Sequence, residues 1–292
     1  MKTKLLTTKV NKEKTIEIVI PIFCIFIALI AITHHVLWRD EMQGWLVAIK
    51  SDSLVDLWRK NAPSGHPALW SLLIYLVKDI TKTPISMQLL HWSLGSLAII
   101  LFWFKSPFPT WQKTLFIFGF FPFWEYYIIS RHYVISELLL FVFCSIYDFR
   151  KRSYIPASLC IGLLTNTQAL AWSIAFACGL TLFSDWVSNP HQRKEYIKQK
   201  LWKLDLLLSL IIIFSFSIFG AFSLIQVSDK AGVIAALPFD PRQFLKALGQ
   251  ILGGYTLIIP NSRRWLDLIA CGCVSIFLIA STFSFIKKSN SA

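Results

Sequence analysis

Short polar stretches interrupt an otherwise apolar sequence, and several carry side chains able to do chemistry. The first, Trp38–Arg39–Asp40–Glu41, follows directly on an apolar run. Two adjacent carboxylates at the edge of a hydrocarbon layer cost desolvation unless they are paired or put to use. The plainer alternative is a solvated helix start, with Asp40 as N-cap and Glu41 in a first turn whose dipole favours negative charge. Further on, Ser64–Gly65–His66–Pro67 opens an apolar stretch, where Pro67 suits the first helical position and His66 sits just outside it. A histidine so placed either serves local structure or holds a phosphate or carboxylate. A third stretch runs Glu125–Tyr126–Tyr127–Ile128–Ile129–Ser130–Arg131–His132–Tyr133. Arg131 either snorkels toward water or offers the bidentate fork that suits phosphate. Glu125, His132, Tyr133 and, about a turn further, Glu137 complete a dense polar cluster. Glu137 lies inside an apolar run, where an ionisable group points to function.

These groups are positioned by helices that the composition assigns to a bilayer. The chain has 292 residues, 55% of them hydrophobic, and a mean hydropathy of +0.57. A helix needs about 20 apolar residues to cross roughly 30 Å of hydrocarbon, and several such runs occur. The ten-residue alternating segments of a membrane β-barrel are missing. The expected fold is therefore an all-α, polytopic transmembrane bundle of about eight helices, forming a single membrane domain over 1–292. Its crossings are Ile18–Leu37, Ser86–Phe104, Thr114–Ile129, Tyr133–Phe149, Tyr154–Leu164, Ala169–Val187, Leu204–Leu224 and Leu266–Ile286. The first reads as an uncleaved signal anchor, being too long for a signal-peptide core and lacking a small-residue cleavage site.

Residues 1–17 form a basic tail, 38–85 a long first external loop, and 225–265 a last external loop. The first external loop carries helical stretches at Glu41–Ile49 and Pro67–Val77. Pro67–Ile80 spans only about 21 Å, so it lies at the surface and does not cross. With this layout the basic blocks Lys2–Lys14, Arg150–Lys151–Arg152, Arg193–Lys203 and Lys287–Lys288 all fall on one side. That is the positive-inside pattern, with both termini cytoplasmic. It also accounts for the net charge of +13 without nucleic acid, for which no binding motif is present. The six cysteines lie in apolar runs, where free Cys packs as a small hydrophobe. The Cys271–Gly–Cys273 pair is read the same way.

In order and sidedness, three of these stretches resemble the GT-C class of membrane glycosyltransferases. They are Arg39–Asp40–Glu41 after the first helix, Gly65–His66–Pro67–Ala68–Leu69–Trp70 opening an interfacial helix, and Ile129–Ser130–Arg131–His132–Tyr133 after the third crossing. Leu163–Leu164–Thr165–Asn166–Thr167–Gln168 is similar to the family's next outer turn. The class includes protein O-mannosyltransferases and the bacterial aminoarabinose transferase. The resemblance covers about the first 230 residues, by order and topology more than by identity. It departs at Ala68, where a second proline is common, and in length, since members are usually longer.

The resemblance implies transfer of a sugar from a polyprenyl-phosphate carrier to an acceptor on the external face of a membrane, with membrane lipid as surroundings. Asp40 would then be general base, and Glu41 would orient the acceptor or tune Asp40 through like-charge coupling. Arg131, with His66 and Arg39, would stabilise the departing lipid phosphate. Glu125, His132, Tyr133 and Glu137 are further site candidates. A divalent metal on Asp40, Glu41 and Glu125 is an option that the residue types allow but do not require. The location implied is a bacterial inner membrane. Two other readings stay open on sequence alone: a truncated, inactive remnant of such an enzyme, and a non-enzymatic multi-pass protein such as a permease or envelope-assembly component.

Overall fold

The computed structural model describes the backbone of residues 2–225 and the side chains of residues 15–223. These belong to the first of two compact units, Met1–Gly232. The expected crossing Leu266–Ile286, nearly all of the 225–265 loop and the Cys271–Gly–Cys273 pair lie outside the described residues.

Every regular element among the described residues is helical. Helix α1, Lys2–His34, carries the apolar stretch Thr15–His34 with a mean hydropathy of 2.8. It ends three residues before the expected boundary. Thr33 Oγ1 donates to Leu29 O at 2.8 Å, and His34 Nδ1 bonds Ile30 O at 2.8 Å. The chain turns and enters α2, Arg39–Ile49, with Trp38 as N-cap. Asp40, expected as the cap, therefore stands inside the first turn. A helix absent from the expectation, α3 at Leu54–Asn61, follows. Ser53 Oγ caps it by accepting the Asp56 N–H at 3.2 Å, and the i,i+4 pair Asp56–Lys60 closes at 2.6 Å.

A 3₁₀ turn, Ala62–Ser64, ends at Gly65 with φ 74°, a left-handed conformation that favours glycine. Helix α4, Leu69–Thr81, begins after His66 and Pro67, so Pro67 precedes the helix where it was expected to open it. The residue before a proline is driven toward extended backbone, and the His66 carbonyl is held there by Asn61 Nδ2 at 2.9 Å.

The apolar helix α5, Ile85–Lys105, runs through the middle of the fold. After α6, Thr110–Ile117, the expected continuous crossing breaks at Gly119. It resumes as a π-helical segment, π1, over Phe120–Ile128. Pro122 sits inside π1 and supplies no N–H, which breaks the i→i−4 ladder. Helix α7, Tyr133–Ile146, is prolonged by a 3₁₀ turn, Tyr147–Lys151. The arms π1 and Tyr133–Lys151 diverge by 120° around the Ser130–His132 turn. Helices α8 (Ile155–Leu164), α9 (Ala171–Ser188), α10 (Pro190–Ile197) and α11 (Trp202–Ile225) complete the described chain.

Thr15–His34, Ile85–Lys105 and Trp202–Ser223 are long and apolar enough to cross a membrane, and the bent pair raises the number to as many as four. Among the described residues the chain is thus all-helical, with helices long and apolar enough to span a membrane. At ten residues α8 is about 15 Å long, too short to cross alone.

Close approaches fix the packing. On α5, Gly95 lies under the Tyr127 ring, so near that an added Cβ would fall 2.2 Å from Cδ2. Tyr127 Oη bonds Ser96 Oγ at 2.6 Å, which pins π1 to α5. Small residues likewise join α8 and α11: a Cβ on Gly162 would meet Phe216 Cβ at 2.9 Å, and one on Gly220 would meet Thr165 O at 2.5 Å. Asn166 Nδ2 reaches across to Phe216 O at 2.8 Å. At the far end of α7, Arg150 is 7% exposed and binds Asp185 Oδ2 through Nε at 2.7 Å. One member of the basic block expected to face lipid headgroups is therefore buried and paired.

Candidate functional site

Helix α2, the segment that joins α3 to α4 and the turn between π1 and α7 converge on one cavity of about 180 Å³. Asp40, Asn61, Ser64, His66, Arg131 and His132 supply its polar wall, and Pro67 and Trp70 part of its apolar wall. Three stretches separated in the sequence thus contribute to a single concavity. Each is held there by a traceable contact: Asp40 by the start of α2, His66 by the bond from Asn61, and Arg131 by the Tyr127 anchor on α5.

Arg131 Nη1 pairs with Asp40 Oδ2 at 3.3 Å, the guanidinium side chain being 16% exposed and the carboxylate 53%. The guanidinium also stands 5.0 Å over the Tyr133 ring. The rings of His66 and His132 lie 4.2 Å apart. His66 Nδ1 and His132 Nε2 are both buried and have no hydrogen-bond partner among the described residues. Burial, reinforced by the Arg131 charge, lowers the pKa of His66, against a smaller opposing effect from Asp40. Burial together with the neighbouring His66 and Arg131 lowers that of His132 to about 2. Both imidazoles are neutral at ordinary pH, and Arg131 carries the positive charge of the cavity.

Glu41 occupies a different place from its neighbour. It is fully buried and does not line the cavity. Its oxygens accept from the N–H of Trp38 at 2.7 Å, from the N–H of Ser130 at 2.7 Å, and meet His35 Nε2 at 3.1 Å.

Arg39 also points elsewhere, lining an open groove with Gln43, Lys50 and Lys60 that adjoins the cavity. Tyr133 takes part through its ring against Arg131. Glu125 and Glu137 do not line the cavity. Glu125 feels the Arg131 charge and Glu137 lies near Tyr126, on the other side of the bent pair. Among the described residues no three His, Cys, Asp or Glu side chains converge as a metal site, and Glu41 and Glu125 are not brought to Asp40 as ligands.

His35 and His91 belong to this region and were not singled out from the sequence. His91, on α5, is fully buried, stacks edge-on to Trp70 at 5.7 Å, and lies against the backbone of Tyr127 and Arg131. The rule that flagged Glu137, an ionisable residue inside an apolar run, applies equally to His91. Asn61 carried no signal beyond its type; it enters through Ser71 Oγ, which donates to its Oδ1 at 2.6 Å.

Compared with protein-family models, with curated proteins and with solved structures, the chain gives no match.

Proposed function

We propose that this protein is a GT-C-like glycosyltransferase that moves a sugar from a polyprenyl-phosphate carrier to an acceptor at the external face of a bacterial inner membrane. One observation carries the reading. Asp40, His66 and Arg131, each from a different motif of the resemblance, line one cavity beside helices able to cross a membrane. In this reading the chain crosses about eight times with both termini in the cytoplasm, and the first loop faces outward.

The cavity offers the three functions that such a transfer needs. Asp40 takes the proton of the acceptor hydroxyl, whose oxygen attacks the anomeric carbon. The bond from that carbon to the phosphate oxygen breaks, and the lipid phosphate leaves with the electron pair. Arg131 meets the charge that develops on it. His66 and His132, both with lowered pKa, line the cavity beside the sugar or phosphate without adding charge. At about 180 Å³ the cavity suits a headgroup, being below the roughly 300–1,000 Å³ of sites that enclose a whole ligand. The prenyl tail then stays in lipid.

The test is turnover of labelled polyprenyl-phosphate sugars by membranes carrying the wild-type or the Asp40→Asn protein. Transfer or donor cleavage that falls by about 100-fold or more in the variant supports the reading. A correctly inserted wild-type protein that turns over no donor sinks it, in favour of an inactive remnant or a non-enzymatic membrane protein.

A further inference from the structure

The reading above uses Asp40 and Arg131 but leaves the most completely bonded carboxylate of the region, Glu41, without a part. We infer that Glu41 is a positioning residue: with His35 it clamps the turn before α2 to the turn before α7, and so sets Asp40 opposite Arg131. The inference rests on the proposed transfer reaction for its kinetic consequence, but not for its geometry.

The geometry is specific. Glu41 is 0% exposed, and a buried carboxylate is tolerated only where its oxygens are satisfied. Oε2 takes the Trp38 N–H at 2.7 Å, which fixes the entry into α2. Oε1 takes the Ser130 N–H at 2.7 Å, from the turn that follows π1. His35 Nε2 stands 3.1 Å from both oxygens, while its Nδ1 lies 3.1 Å from Ile32 O at the end of α1. With oxygens facing both ring nitrogens, this imidazole ties the carboxylate to α1 as well. Three chain segments therefore meet on a single carboxyl group.

Sequence adjacency turns that junction into control of the cavity. Asp40 immediately precedes Glu41, and Arg131 immediately follows Ser130. A bond from the Glu41 side chain to the Ser130 backbone thus fixes the relative placement of the residues on either side, which pair at 3.3 Å. Glu41 itself has no surface in the cavity and touches no guest there. Replacing it by glutamine keeps the volume but places an NH₂ where a backbone N–H or the His35 nitrogen now points. At least one buried donor then loses its acceptor.

Two measurements test the clamp. The first compares kcat and donor KM for wild type, Glu41→Gln, Asp40→Asn and the double variant. Glu41→Gln is expected to lower kcat by roughly 10- to 100-fold, the order that a 1 Å misplacement costs, with donor KM within about threefold. Because Glu41 acts through Asp40 and Arg131, adding Glu41→Gln to Asp40→Asn is expected to cost less than about twofold more. A full multiplicative loss in the double variant overturns the inference, since a general weakening of the fold acts in either background. His35→Gln, which still offers an N–H to Glu41, is expected to lose kcat less than Glu41→Gln; an equal or larger loss overturns the order of the clamp.

The second measurement needs no turnover. Asp40→Cys and Arg131→Cys are joined by a short bifunctional thiol reagent in the full chain, and the linked peptide pair is quantified by mass spectrometry. Glu41→Gln is expected to reduce the linked yield at least about fivefold, in proportion to the order lost at the turn. An unchanged yield overturns the clamp. If wild type turns over no donor while the yield still depends on Glu41, the transferase reading fails and the clamp stands.

Discussion

Asp40 and Arg131 face each other across 3.3 Å at the edge of the cavity, so the carboxylate able to accept a proton also neutralises the guanidinium able to hold an anion. A phosphate arriving at Arg131 competes with Asp40 and, on winning, leaves that carboxylate unpaired. The Asp40→Asn variant is therefore expected to bind inorganic phosphate more tightly, by less than about tenfold. A half-exposed ion pair is worth only about 0–1 kcal/mol. Protection of Arg131 from an arginine-modifying dicarbonyl by phosphate measures this; weaker protection in the variant would contradict the competition.

Gly95 and Tyr127 carry a second expectation. An alanine at 95 places its Cβ inside the Tyr127 ring contact and forces π1 off α5. Overpacking of this kind costs typically about 1–3 kcal/mol. A clear fall in the melting temperature in detergent is expected, together with lost turnover, because π1 leads into Ser130 and Arg131. Gly179→Ala is the control, since nothing lies within 4 Å of its added Cβ. Equal behaviour of the two variants would show that the α5–π1 contact does not govern the site.

The buried imidazoles make stability depend on pH in one direction. Above the ordinary histidine value of about 6.5, His132 is neutral both folded and unfolded, and contributes no pH dependence. Below it the unfolded chain takes up a proton that the folded chain, with His132 lowered to about 2, refuses. Stability from this residue is then lost at up to about 1.4 kcal/mol per pH unit as the pH falls from about 6.5. His66, lowered by the same burial, adds in the same sense. Melting curves between pH 7.5 and 4.5 are expected to show a steeper acid loss in wild type than in His132→Gln. Parallel curves would exclude a buried neutral His132.

At the other end of α7, Arg150 depends on Asp185. Removing that carboxylate by Asp185→Ala leaves a guanidinium 7% exposed, with Asp148 Oδ1 at 3.3 Å as the remaining acidic partner. Breaking a buried pair from one side typically costs about 3–5 kcal/mol, and Asp148 is expected to hold the loss to the lower end. Turnover per folded molecule should be unaltered, because α7 separates the pair from the cavity by about 20 Å. A variant with normal stability would show that Asp148 alone satisfies Arg150.

Much of this arrangement was legible in the residues. The apolar runs around Thr15–His34, Ile85–Lys105 and Trp202–Ser223 announce themselves by length, and the structure keeps them as long helices. The polar stretches at Asp40, His66 and Arg131 stood out against the apolar background, and they line one cavity. The break at Gly119–Pro122 was harder to see, since hydropathy averages over a π-helical segment without registering its lost backbone bonds. Helix α3 is hidden in the sequence because its polar face and short length imitate a loop. The separate places of Asp40 and Glu41 follow from which side of α2 each residue faces, and adjacency in sequence conceals that. His35 and His91 lie at the end of or inside runs whose hydropathy masks a single ionisable side chain.

The 120° divergence of π1 and the Tyr133–Lys151 arm has one more consequence. Ser130, Arg131 and His132 sit at the apex of a wedge whose arms are both apolar, and neither arm can slide along the bilayer normal without dragging polar groups into hydrocarbon. In the proposed transferase the wedge would therefore work as a depth gauge. A lipid-linked donor whose headgroup rides higher or lower than the apex would present its charge to the wrong stratum, and exchanging lipids for thicker or thinner ones would retune which donors reach Arg131.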